Sequence, residues 1–281
     1  NGTEKATAPS TDGPAIRHNK GTLKLEDVDI KNFNSNLVGA LYAFNGTVEI
    51  VGGSFENNTA KSYDGAINIQ KAVTTATVTN TKFIDNTAAT GGAIFNNSNL
   101  TLDGCTFSGN SASSDGGAIY NSNTGVLTIK NTTFTGNSGN GGGAIYNLGS
   151  ITITGGSLNK NFATNDGGAI YTRAGTVVVS NATLNENTAL NGGAAYNNAS
   201  LTFDGCKMSN NTATQVGGAV WNNTAGTLTI KGSTTSITGN SAANGGAICS
   251  YGTVTIEDGT FSDNNASSSY GGAIMLNNNA T

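Results

Sequence analysis

In 281 residues the chain carries 11% charged side chains and 40 glycines, and its 13 Lys and Arg against 17 Asp and Glu leave a net charge of −4. The basic residues are scattered singly, so no track exists for a phosphate backbone and nucleic-acid binding is not expected. No apolar run approaches the ~20 residues that span a bilayer as a helix, so membrane insertion by this segment is not expected either.

In chain order, residues 1–12 read as a lead-in and 13–281 as one repetitive domain cut from a longer array. The repeat opens on an aberrant DGPAIR with Pro14 in the key place. GGAI-type motifs then follow at Gly39, Gly65, Gly92, Gly117, Gly143, Gly168, Gly193, Gly218, Gly246 and Gly272, 25 to 28 residues apart. A fixed period in the twenties predicts a solenoid, in which each unit buries its apolar face against its neighbours.

Within a period, three short β-prone runs are separated by Gly, Asn, Ser and Asp, residues suited to tight turns. The middle run reads LTL, LTI, ITI or VVV, and its apolar ends alternate with Thr, which predicts a strand with one face inward. Five residues later, in most coils, stands a large apolar residue such as Phe55, Phe83, Phe107 or Phe134. Three further on comes an asparagine: Asn58, Asn86, Asn110, Asn137, Asn161, Asn187, Asn211, Asn240 and Asn264. An amide both donates and accepts, so stacked Asn side chains can bond up and down a column at strand spacing, a structural task. These patterns predict an all-β, right-handed parallel β-helix with three strands per coil and about 11 coils.

The paired motifs GGAIFN, GGAIYN, GGAIYT, GGAAYN and GGAVWN, alternating with FENN, FIDN, FSGN and FTGN, resemble the passenger repeats of the polymorphic outer-membrane proteins. The resemblance spans essentially residues 13–276. It implies a β-helical autotransporter adhesin passenger, secreted and held at the cell surface or outer membrane, and it links the motifs themselves to cell adhesion. A buried Asn column is expected to shape the rod rather than to touch a receptor.

Three columns are candidates for function. After the GGAI isoleucine stand Tyr42, Asn68, Phe95, Tyr120, Tyr146, Tyr171, Tyr196, Trp221, Cys249 and Met275. With the isoleucine inward, alternation turns the aromatics outward, where they could bind a sugar or a protein, or tuck under a loop as a packed stack. The Thr column Thr77, Thr101, Thr128, Thr152, Thr202, Thr229 and Thr255, broken by Val178, suggests an ice-binding face as an alternative; Thr also suits exposed strands generally. The residues after the middle run, including Asp103, Lys130, Asp204, Lys231 and Glu257, read as cross-strand charge pairs.

Catalysis has few candidates. A polysaccharide lyase or glycosidase of this fold needs clustered acids, or a basic residue beside bound calcium. Here Asp27 and Asp29 flank one strand, and His18 beside Arg17 reads as exposed surface. Cys105 and Cys206 lie four coils apart, too far for a disulfide, and with Cys249 read as buried fillers. No metal or cofactor motif is recognised. The expected function is a non-catalytic adhesin rod whose partners are a host-surface protein or glycan, with self-association as a further role.

Overall fold

The computed structural model describes residues 13–268 and 270–277; the expected lead-in over 1–12 lies outside them. Every regular element among the described residues is a strand, and every pairing is parallel. One coil shows the plan. Ile94–Asn96 carries the end of GGAI, Asn99–Asp103 is the middle run, Thr106–Ser108 holds the phenylalanine, and Ser111–Ala112 closes the turn. Each pairs with its equivalent one coil on, as in Leu100↔Leu127, Phe107↔Phe134 and Ile94↔Ile119.

These strands build three sheets. The first takes the GGAI strand and the middle run together, and the two are continuous in Leu41–Val51 and Ile67–Thr79. The second sheet stacks the phenylalanine strands. The third is made of short strands of two to five residues, the first after Phe33 and the other nine each directly after an asparagine of the Asn58–Asn264 column, a run that the repeat pattern had not singled out. Both smaller sheets have ten strands, whereas the GGAI strand occurs eleven times. The described residues therefore complete ten turns and begin another, one fewer than the eleven expected.

The double glycine has a geometric cause in each position. Gly116 adopts φ +70°, a left-handed conformation that an L side chain resists. Gly117 sits so close to the next coil that a Cβ there would lie 2.0 Å from the Gly143 carbonyl oxygen. Neighbouring coils can stack only where that side chain is missing.

The interior is one continuous core along the axis. Leu127 and Ile129 point in while Thr128 between them stays half-exposed, the alternation that the middle run predicts. Phe55, Phe83, Phe107 and Phe134 stack inside at 5.4, 4.5 and 4.7 Å between centroids. Each such side chain contributes about 1.5–3 kcal/mol by leaving water.

One position departs from its expected place. His18 is 8% exposed, not a surface residue. Strand Ile16–His18 pairs with Leu41–Ala43, so alternation points Ile16 and His18 inward and Arg17 outward. The His18 Nε2 lies 3.2 Å from the Gly21 carbonyl oxygen.

Candidate functional site

Two columns of amides line the interior. In the first, the Asn137 side chain donates to Asn161 Oδ1 at 2.9 Å and to the Phe107 carbonyl at 3.1 Å. Its own Oδ1 accepts the Asn110 backbone N–H at 3.0 Å and the Asn110 side-chain N–H at 2.9 Å. Both donors and both acceptor sites are therefore occupied. Side chain donates to side chain at every step from Asn58 through Asn86, Asn110, Asn137, Asn161, Asn187, Asn211 and Asn240 to Asn264. All but Asn264 are buried.

A second amide column follows the aromatic residue of the GGAI strand. Asn96 donates to Asn121 Oδ1 and Asn121 to Asn147 Oδ1, both at 2.8 Å. Thr172 interrupts this column, which resumes with Asn197 donating to Asn222 Oδ1 at 2.7 Å and Asn222 to Ser250 Oγ at 2.9 Å. The asparagine of GGAIFN and GGAIYN carries the signal for it, two residues beyond the inward isoleucine and hence on the same face.

Between isoleucine and asparagine, the aromatic column points to the outer face and packs into a ladder. Phe95, Tyr120 and Tyr146 stack nearly parallel, at 5.2 and 5.1 Å. Tyr196 and Trp221 stack at 6.0 Å, and Trp221 stacks on Tyr251 at 5.7 Å. Tyr251 stands two residues beyond Cys249 and takes over the stacking place that Cys249 vacates. Tyr171 alone is turned, at 73° to Tyr146 and 62° to Tyr196. Tyr146 and Tyr196 are 4% and 9% exposed, and Phe95, Tyr120, Tyr171 and Trp221 are half-buried. The rings thus lie partly covered, the parallel ones spend their faces on one another, and the Tyr196 hydroxyl accepts from Asn223 Nδ2 at 2.8 Å. Tyr42 is set apart from the run by Asn68. It stacks on Phe44 at 6.4 Å with the Arg17 guanidinium 5.5 Å from its centroid.

Polar groups flank the middle of the ladder. The third-sheet column Asp115, Gly141, Asp166 and Asn191 runs beside it, one residue per coil. Burial pushes the Asp115 and Asp166 carboxyls above their usual range. The Arg173 guanidinium, on the exposed side, interacts with the phenols of Tyr146 and Tyr171. Burial, followed by the Asp166 charge, raises the Tyr171 phenol. Asn191 donates to Asp166 Oδ1 at 3.0 Å, and its buried Oδ1 has no hydrogen-bond partner.

The remaining candidates stand apart from this face. Thr101, Thr128, Thr202 and Thr229 are half-exposed and Thr152 exposed, while Val178 breaks the Thr column. Lys231 reaches Asp204 at 3.7 Å across the register. The cysteines are buried and free, and burial raises Cys105 and Cys249 to about 11. Asp27 and Asp29 line an open groove of about 480 Å³ with Lys31, Glu56 and Lys82. Asp29 is held below the usual carboxylate range, first by the Ser54 hydroxyl, and Lys31 lies 3.1 Å from Glu56. Among the described residues, no three His, Cys, Asp or Glu side chains gather as metal ligands would.

Two family models match the chain. That of the right handed beta helix region covers residues 15–184, and that of the Chlamydia polymorphic membrane protein repeat covers residues 234–251. No curated protein and no solved structure matches.

Proposed function

The chain belongs to the right-handed β-helix family, whose model spans 15–184 of its 281 residues, and from that premise we propose that it is a non-catalytic rod displayed at a cell surface for adhesion. The segment that matches the polymorphic membrane protein repeat contains ITGN and GGAI, the same motif pair that recurs in coil after coil. That likeness supports a surface-exposed, passenger-like place for the rod. Its partner is a host-surface protein or glycan, and the aromatic column is the contact face.

The observation that carries this reading is the ladder from Phe95 to Tyr251, large side chains on the outer face that the core does not need. The Asn columns are spent inside and reach no partner. Attachment therefore falls to residues between and beside the motifs, while the motifs hold the coils in register. Beads coated with the purified chain should adhere to a panel of cultured cell lines. A chain with Tyr120, Tyr171 and Trp221 changed to Ala should keep its β circular dichroism and lose adhesion. Equal adhesion by that variant would remove the aromatic face from the reading, and no adhesion by the parent chain would remove the attachment role.

A further inference from the structure

The acid column beside the aromatic ladder has a gap. Asp115 and Asp166 stand two coils apart, ~9.6 Å at strand spacing, and Gly141 lies between them. A Cβ at Gly141 would meet Tyr171 Cδ1 at 2.7 Å and Asp115 Oδ1 at 2.9 Å, so the missing side chain is what admits the ring. Tyr171 turns into that space, out of the stack kept by its neighbours. A ring set at that angle has its faces across the ladder axis rather than along it. Tyr171 is thus the ring between Phe95 and Tyr251 whose faces are not taken up by ring-on-ring stacking.

Around this ring converge groups with complementary hydrogen-bonding capacity. Arg173 offers a planar fork of donors beside the Tyr171 hydroxyl, and Asp115 and Asp166 offer carboxyl oxygens on either side. We propose that the half-buried Tyr171 ring, seated over Gly141 and flanked by Asp115, Asp166 and Arg173, binds one neutral hexose-type unit of a glycan. An aromatic face with its negative quadrupole attracts the C–H side of a sugar ring, and forked polar groups grip neighbouring hydroxyls. Two carboxyls against one guanidinium give the site no excess positive charge, which disfavours sialylated, uronic or sulfated chains. This assignment rests on the attachment reading above and gives it a site and a ligand class.

The test is a printed array of neutral oligosaccharides of hexose and N-acetylhexosamine units, with sialylated, uronic and sulfated chains alongside, followed by titration of the best ligand. Neutral glycans should be retained. Tyr171→Ala and Gly141→Ala should weaken binding at least about tenfold, a loss of ~1.4 kcal/mol. The exposed Arg173→Gln, which leaves the core untouched, should do the same if Tyr171→Ala disturbs folding. Lys231→Gln, in the charge pair that stands apart from this face, should leave binding unchanged. Retention of acidic glycans alone, no glycan retained, or equal binding by Arg173→Gln would overturn the assignment. Adhesion of chain-coated beads to cells without glycan binding would overturn this site and leave the attachment role standing.

Discussion

From Asn58 to Asn264 the first amide ladder crosses nine coils unbroken, whereas the second runs from Asn96 to Asn147, stops at Thr172 and resumes at Asn197. In the first, Asn137 uses every donor and acceptor on neighbouring coils. In the second, much of the bonding is local: Asn147 donates to Gly149 O two residues on, and Gly149 N–H donates back to Asn147 Oδ1. One ladder ties coil to coil; the other mainly caps the turn beneath it. A solenoid whose stability is a sum of nearest-neighbour terms should tolerate a gap in the second far better than in the first.

The harshest way to break that contrast is Asn137→Ala. It leaves the Asn110 backbone and side-chain N–H groups without their shared acceptor and the Phe107 carbonyl without this donor. At ~1–3 kcal/mol for each buried group left unmade, the loss should reach about 3–5 kcal/mol. Denaturant unfolding measures it, and hydrogen exchange should show protection falling first on both sides of residue 137. A loss under ~1 kcal/mol would mean that the ladder does not hold the coils together.

The N-terminal coils offer a second contrast, because there a buried carboxylate stands where later coils have glycine. Asp64 occupies the place of Gly91, and its Oδ2 accepts the Gly39 N–H at 2.9 Å while Oδ1 accepts from Asn68. Burial outweighs these bonds and pushes the carboxyl up to about 7. The folded state therefore holds this proton more tightly than the unfolded chain, whose carboxyl titrates near ~4. Stability from this group is complete below pH ~4 and is lost as pH rises to about 7, at ~1.4 kcal/mol per unit. Asp64→Asn should flatten that slope, and the amide ladders, which do not titrate, should contribute none. A variant with the parent's pH profile would refute the assignment.

Asn121→Ala should cost less than Asn137→Ala. It removes the acceptor of Asn96 Nδ2, but the Gly125 carbonyl keeps the Ser150 N–H and Asn147 Oδ1 keeps the Gly149 N–H. A loss of about 1–2 kcal/mol is expected. A loss equal to that of Asn137→Ala would erase the distinction between the ladders.

Much of this was legible in the residues. The period, the parallel stacking of coils and the inward and outward letters of the middle run follow from spacing and alternation alone, whereas the short strands of the third sheet do not stand out in the repeat. The second ladder obeys the same alternation, but its asparagine hides behind the aromatic residue that draws attention at GGAIYN. His18 follows that rule too, in the inward place that Ala43 fills one coil on, yet a lone charged-type residue beside Arg17 suggests surface. The turned Tyr171 could not be read, because its cause is a glycine on a different sheet. Nor could the handover to Tyr251, which reaches the stack from outside the column. Period-25 reasoning finds what repeats; contacts between columns of different sheets depend on single coils.

The break itself supplies the finest test. Thr172 is fully buried, and its Oγ1 has no hydrogen-bond partner. Asn147, lacking an amide above it, donates instead to the Ala174 carbonyl at 3.1 Å. In intact coils that i+2 carbonyl belongs to the local asparagine, as Ser98 O does to Asn96 and Ala199 O to Asn197. An amide at 172 would take over Ala174 O, accept from Asn147 and donate to Asn197 Oδ1, joining the two halves. Thr172→Asn should therefore stabilise the chain by about 1 kcal/mol, the net worth of a hydrogen bond with an orphaned hydroxyl removed, and raise Tm by ~2–4 °C. A lower Tm would show that the break at Thr172 relieves crowding between Asn147 and Asn197, and that the second ladder is shaped by space rather than by hydrogen bonding.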